Sequence, residues 1–273
     1  MISRPRNQGP IAMHEELRNA VARLARTPEL LVVSDFDGTM SPLVKDPGAA
    51  RAHGPSMSAL EGLAALSRTH AAILSGRALG ELSRLSGAPR GVRLVGSHGA
   101  ETGEPGGEHG ATSEQAALLE RLGRALDDLA AKGPGLLVER KPLAVALHWR
   151  AASDAVAAAA ERSVREGPGR MPGVHVRSGS KVLELCVTGA DKGGALRAMR
   201  SRASATGVCF IGDDVTDEDA FGVLGPEDLG IKVGPGRTRA AARVPDVEAV
   251  GVVLQRLLAE RRTHVGGTGD RGG

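Results

Sequence analysis

The chain has 273 residues, 41% of them hydrophobic, enough for one large domain or two modest ones with a packed core. Aromatics are 1% and tyrosine is absent, so the stacking platforms that hold single-stranded nucleic acid are missing, and a net charge of +3, much of it arginine near the termini, is no nucleic-acid footprint. No apolar run nears the roughly 20 residues of a membrane span, no apolar stretch follows Arg4 and Arg6 as a secretory leader would need, and Cys186 and Cys209 lack metal-site spacing; a monomeric, cytoplasmic protein is the expectation.

Residues 1–12 read as a loose leader. His14 to Arg26 places Leu17, Val21, Leu24 and Ala25 at helical spacing. Leu30-Leu31-Val32-Val33 is a strand buried on both faces, and it runs straight into Asp35 and Asp37. After a proline-punctuated loop, Ser56 caps a helix to Arg68, Ala71–Leu74 is a second buried strand ending at Ser75-Gly76-Arg77, a helix runs to Leu85, and Val92–Val95 is a third strand ending at Gly96-Ser97-His98. Strand and helix in alternation imply a parallel sheet with right-handed crossovers.

The pattern changes at the Gly/Pro/Glu stretch from Gly103 to Gly110. A helix over Ser113–Lys132, a hairpin over 135–140 and 143–149, a helix over Ser153–Glu166, and strands at Val174–Arg177 and Lys181–Val187 repeat an αββ order. From Lys192 the first pattern returns: a helix to Arg202, strands at Val208–Ile211 and Leu229–Val233, a short helix at Thr216–Leu224, two more at Thr238–Arg243 and Asp246–Arg261, and a disordered tail at 262–273. The fold class is α/β, a doubly wound parallel-sheet core with an inserted α+β cap domain. The expected boundaries are 1–103 and 187–273 for the core and 104–186 for the cap.

In a parallel sheet the carboxyl ends of the strands share one edge, where ligands bind. Asp35/Asp37, Ser75-Gly76-Arg77 and Asp213/Asp214 all end strands, and Lys192 opens a helix that reaches the same edge. Alternate side chains of an extended chain share a face, so Asp35 and Asp37 can address one ligand. Four carboxylates with one clearly placed lysine demand a divalent cation; oxygen-only ligands point to Mg²⁺, held by Asp35, Asp37, Asp213 and Asp214, with Asp217 at or just outside them. If the substrate is a phosphate dianion, Mg²⁺ and Lys192 together offset its charge, and the roles expected for phosphoryl transfer follow. Asp35 is the nucleophile, Asp37 the general acid and base, Lys192 an offset to phosphate charge, and Ser75, Gly76 and Arg77 the phosphate-binding turn.

The set Asp35-Phe-Asp-Gly-Thr-Met-Ser-Pro-Leu43, Ser75-Gly-Arg77, Gly96-Ser-His-Gly99, Lys192 and Phe210-Ile-Gly-Asp-Asp-Val-Thr-Asp-Glu-Asp-Ala-Phe221 resembles the haloacid dehalogenase superfamily, and in its detail the trehalose-6-phosphate phosphatases. Gly230-Ile-Lys-Val-Gly234 also fits. The resemblance implies Mg²⁺-dependent hydrolysis of a small-molecule sugar phosphate, trehalose 6-phosphate. It also implies a mobile cap reading the sugar through Glu139, Arg150 and Glu184. The chain departs from the family pattern at Ser180, where a basic residue is usual, and at Cys186-Val187, where Arg-Pro is frequent. A phosphatase or phosphomutase for another sugar phosphate is the alternative. A non-catalytic sugar-phosphate sensor is the third, and its usual sign, a lost aspartate, is missing.

Overall fold

The structure, a computed structural model, describes residues 14–103, 111–179 and 181–266. The leader at 1–12, most of the expected linker (104–110), Ser180 and residues 267–273 lie outside the described residues. Two compact units emerge. One takes the described residues up to Ser75, Gly80–Val95 and those from Lys192; the other takes Gly76–Leu79 and Gly96–Asp191. The second unit therefore starts earlier and ends later than the expected 104–186. The Glu101 carboxylate accepts from Ser97 Oγ and the Leu79 N–H, and Val187 exchanges bonds with Leu143 and Gln115, so both flanks are tied to that unit.

In chain order the elements are α1 (Glu15–Leu24), β1 (Leu30–Ser34), α2 (Gly54–Ala64), β2 (Thr69–Leu74), α3 (Leu79–Ser86), β3 (Val92–Gly96), β4 (Glu101–Thr102), α4 (Ser113–Ala130), β5 (Leu137–Lys141), β6 (Ala144–His148), α5 (Asp154–Glu166), β7 (His175–Gly179), β8 (Val182–Cys186), α6 (Lys192–Ala203), β9 (Gly207–Gly212), α7 (Asp217–Phe221), β10 (Leu229–Val233), β11 (Ala242–Val244) and α8 (Val247–Gly266).

Within the first unit the strands run β11-β10-β9-β1-β2-β3, and each neighbouring pair is parallel. Successive side chains of the central strands face opposite ways. Leu30, Val32, Ile73, Cys209 and Ile211 pack with α1, α2 and α8, while Leu31, Val33, Leu74, Val208 and Phe210 pack with α6 and α7. Every residue of β1 is buried, which is why it reads as an unbroken apolar run. Phe210 meets Phe221 edge to face, centroids 5.4 Å apart.

Three local expectations change. The helix expected to start at Ser56 starts at Gly54, because Pro55 fits a first helical turn and the Ser56 hydroxyl is taken by His53 Nδ1 at 2.8 Å. The helix expected over Thr238–Arg243 is a turn leading into β11, which pairs with β10; Arg243 donates to the Gly234 and Gly236 carbonyls, and ladder bonds outweigh the alanines' helix preference. The tail expected to be disordered from 262 is helical as far as Gly266.

Arg261 on α8 is fully buried. Its guanidinium donates to the carbonyls of Ala25, Thr27, Pro28 and Arg68 and to Thr69 Oγ1, so one side chain satisfies the ends of three segments.

The second unit has a four-stranded antiparallel sheet in the order β5-β6-β8-β7. Val145, Leu147, Leu183 and Leu185 pack with Leu122 and Leu126 of α4 and Ala160 and Val164 of α5. Ser153 caps α5, and Thr112 with Gln115 forms a capping box on α4. On the opposite face the register aligns Glu139, Ala146, Glu184 and Arg177 in one row and Lys141, Ala144, Cys186 and His175 in the next.

Candidate active site

The buried run of β1 carries Asp35 to the sheet edge, where its N–H donates to the Ile211 carbonyl at 2.8 Å. The chain then turns. The Phe36 carbonyl accepts the N–H groups of Met40 and Ser41, and Gly38 N donates to Ser41 O at 2.7 Å. Gly38 sits at φ +77°, and a Cβ there would lie 2.1 Å from Asp213 Oδ2. Only glycine combines that backbone with so close an approach.

β9 brings Asp213 to the same edge. A Cβ on Gly212 would lie 2.3 Å from Asp217 Cγ, so this glycine lets the Asp217 carboxylate fold back from the start of α7. Lys192, at the start of α6, reaches Asp35 Oδ1 at 2.6 Å and Asp217 Oδ1 at 2.7 Å and is 2% exposed. Lys232, next to last in β10, donates to the Asp213 backbone carbonyl.

The oxygens of Asp35, Asp213 and Asp217 come within 4.8 Å of one another. Among the described residues that group does not include Asp37 or Asp214. Asp37 is half-buried, bridged to Ser41 just after the chain bends at Phe36. Asp214 is exposed, and its N–H donates to Asp217 Oδ2 at 2.8 Å. Asp217, placed by the sequence at the margin, is fully buried within the cluster. Lys232 stands in the Gly230-Ile-Lys-Val-Gly234 run but was given no role of its own, although a lone lysine inside an apolar strand is a visible signal. Ser75 is buried at the end of β2, beside β1, its N–H on the Val95 carbonyl at 2.9 Å.

Burial raises the Asp35 carboxyl well above its usual 3.8, with Lys192 opposing and Asp217 and Asp213 adding to the rise. Burial alone would lower Lys192, but Asp35 and Asp217 more than offset it and hold it as an ammonium. The Asp213 carboxyl is pushed up to about 6, chiefly by burial and then by Asp217 and Asp214. The donors are all carboxylate oxygens, and Asp213 Oδ1 is buried with no hydrogen-bond partner. A hard divalent cation fits that set.

A pH dependence follows. Without a cation, the folded protein keeps a proton on Asp213 that the unfolded chain loses from about pH 4. The stability this group contributes is full below about pH 4 and lost as pH rises through about 6. A cation favours the ionised form. The difference in thermal midpoint between Mg²⁺-loaded and chelated protein should be small near about pH 5 and grow toward about pH 7. A difference independent of pH would remove Asp213 from the cation site.

In the second unit Glu139 accepts from His148 Nε2 at 2.8 Å, a bond that lowers its pKa against the opposing effect of burial. Glu184 accepts from Lys141 Nζ at 2.7 Å and lies 3.9 Å from His98 Nε2. Glu139 and Glu184 flank Ala146 in one row, with Arg177 next to Glu184; Arg150 is exposed, two residues beyond β6. Lys141, Arg177, Glu184 and His98 line a pocket that also includes Gly76 and Ser97. Arg177 was not singled out in the sequence, where it stands as one polar residue among alternating ones.

The sequence profile of the trehalose-phosphatase family matches residues 33–246. The trehalose-phosphate phosphatase of Mycobacterium marinum is 39% identical over 233 residues, 80% of this chain and 58% of that protein. That of Mycobacterium avium is 41% identical over 203 residues, 70% of this chain and 50% of that protein. The chain thus spans between half and three-fifths of these relatives' length. A solved trehalose-6-phosphate phosphatase related protein superposes with a TM-score of 0.68 at 28% identity, covering 84% of this chain and 97% of the other. The C-terminal domain of Candida albicans trehalose-6-phosphate phosphatase shares the fold, with a TM-score of 0.76 at 21% identity over 89% of this chain and 96% of that one.

Proposed function

We propose that this chain, which belongs to the trehalose-phosphatase family, hydrolyses trehalose 6-phosphate to trehalose and inorganic phosphate with Mg²⁺ bound at Asp35, Asp213 and Asp217. The observation that carries the reading is Asp35: a carboxylate buried at a strand end, held by Lys192 at 2.6 Å and joined by two further aspartates. As a stabilising device such a cluster is weak, because apolar packing of similar volume is often as good or better.

In this reading an Asp35 oxygen attacks phosphorus, and the bond from phosphorus to the sugar oxygen breaks. Asp37 gives its proton to the leaving alkoxide, then takes one from the water that cleaves the aspartyl phosphate, which returns Asp35 to its starting state. Bound Mg²⁺ would supply charge neutralisation for the phosphoryl oxygens. Lys192 keeps Asp35 oriented and adds positive charge; Ser75, Gly76 and Arg77 bind phosphate oxygens, and Asp214 steadies Asp217 through its N–H. The second unit serves as the cap, with Glu139 and Glu184 accepting from sugar hydroxyls and Arg150 adding positive charge. A sugar phosphate is charged and cannot cross a membrane, so the reading puts the protein in the cytoplasm. One chain supplies every residue named, so a monomer suffices.

The test is a panel of sugar phosphates. Phosphate release from trehalose 6-phosphate should exceed that from glucose 6-phosphate by at least about 100-fold in kcat/KM, the scale that hydroxyl-reading contacts reach. Equal or reversed preference would replace the substrate.

A further inference from the structure

We propose that Glu101 is a positioning residue for phosphate recognition, holding the Gly76–Leu79 turn in its anion-binding shape through Ser97 and His98. The inference rests on the reading of Ser75-Gly76-Arg77 as the phosphate-binding turn.

Four observations within the second unit converge. Glu101 is 9% exposed, and one oxygen, Oε2, accepts both Ser97 Oγ and the Leu79 N–H, the latter at 3.3 Å. Ser97 N donates to the Arg77 carbonyl at 2.8 Å, so the two ends of the Gly76–Leu79 turn are fastened to one short segment. That segment is strained: Ser97 and His98 take φ of +48° and +57°, a backbone that side-chain-bearing residues rarely adopt, before Gly99 at +114°. Finally, a Cβ on Gly76 would lie 2.6 Å from His98 Cε1, so the imidazole lies close against the glycine of the proposed phosphate-binding turn. Strain of this kind persists only where surrounding bonds over-determine it, and the Glu101 carboxylate supplies them. Without it Ser97 Oγ and the Leu79 N–H lose their shared acceptor, and with it the tie between the two ends of the Gly76–Leu79 turn.

The test compares Glu101→Leu with Glu101→Gln. A glutamine can place its carbonyl oxygen where Oε2 stands and keep both bonds; leucine keeps neither. Glu101→Leu should raise KM for trehalose 6-phosphate and the dissociation constant for inorganic phosphate together, by about tenfold, with kcat changed less than about threefold. Glu101→Gln should stay within about threefold of wild type on both. Ser97→Ala, a milder change that keeps the carboxylate, should weaken phosphate by a few-fold and serves if Glu101→Leu fails to fold. Unchanged phosphate binding in Glu101→Leu and Ser97→Ala, or Glu101→Gln as impaired as Glu101→Leu, overturns the inference. Phosphate binding to the Mg²⁺-loaded protein needs no sugar, so a wrong substrate shows as inactivity of the wild type, whereas a wrong role for Glu101 shows only in the variants.

Discussion

Asp35→Asn should lower kcat for phosphate release by about 10⁴-fold or more while leaving the thermal midpoint within a few degrees of wild type. An amide has the shape of the carboxylate but cannot attack phosphorus, and loss of the nucleophile in covalent enzymes removes nearly all chemistry. The fold should survive, because Lys192 keeps Asp217 at 2.7 Å and the Asp35 backbone stays bonded to Ile211. Asp37→Asn, which spares the nucleophile, should cost less, about 10²–10⁴-fold, as general acid–base catalysis does. Steady-state phosphate release together with a melting curve checks both. Near-normal turnover in Asp35→Asn would remove the nucleophile assignment.

Arg261→Met should destabilise the protein by about 3–5 kcal/mol, which lowers the thermal midpoint by roughly 10 °C for a chain of this size. Methionine fills similar volume, so the loss comes from the carbonyls of Ala25, Thr27, Pro28 and Arg68 and the Thr69 hydroxyl losing their donor in a dry site. Arg262→Met, at an exposed neighbouring position, should change stability by less than about 0.5 kcal/mol. Comparable effects of the two changes would show that the guanidinium network is not holding α8 to the sheet.

The contrast between these two arginines shows where the sequence stops being readable. Helical spacing sets Arg261, not Arg262, on the face of Val250, Leu254 and Leu257, but nothing in Glu260-Arg261-Arg262 shows that a guanidinium is satisfied there; its acceptors are carbonyls nearly two hundred residues or more away in sequence. Local signals did carry the sheet: β1 and β10 are apolar runs, and an apolar run that meets an acid marks a strand end. They carried less of the cluster. Asp37 falls outside the group of clustered carboxylates, which takes Asp217 instead. Asp217 enters because Gly212 leaves room for it, a fact of tertiary approach rather than spacing. The alanine-rich 238–243 stretch carried helix propensity, but pairing with β10 decided its fate.

The most direct test of the phosphoryl-carrying role is chemical trapping during turnover. Borohydride reduces an acyl phosphate but not a free carboxylate, so quenching Mg²⁺-loaded protein with borohydride while it turns over trehalose 6-phosphate, followed by peptide mass spectrometry, locates the modified aspartate. Reduction at Asp35, dependent on both Mg²⁺ and substrate, is the result expected. Modification at Asp37 or Asp213 instead, or steady phosphate release with no reduced aspartate at all, would contradict it.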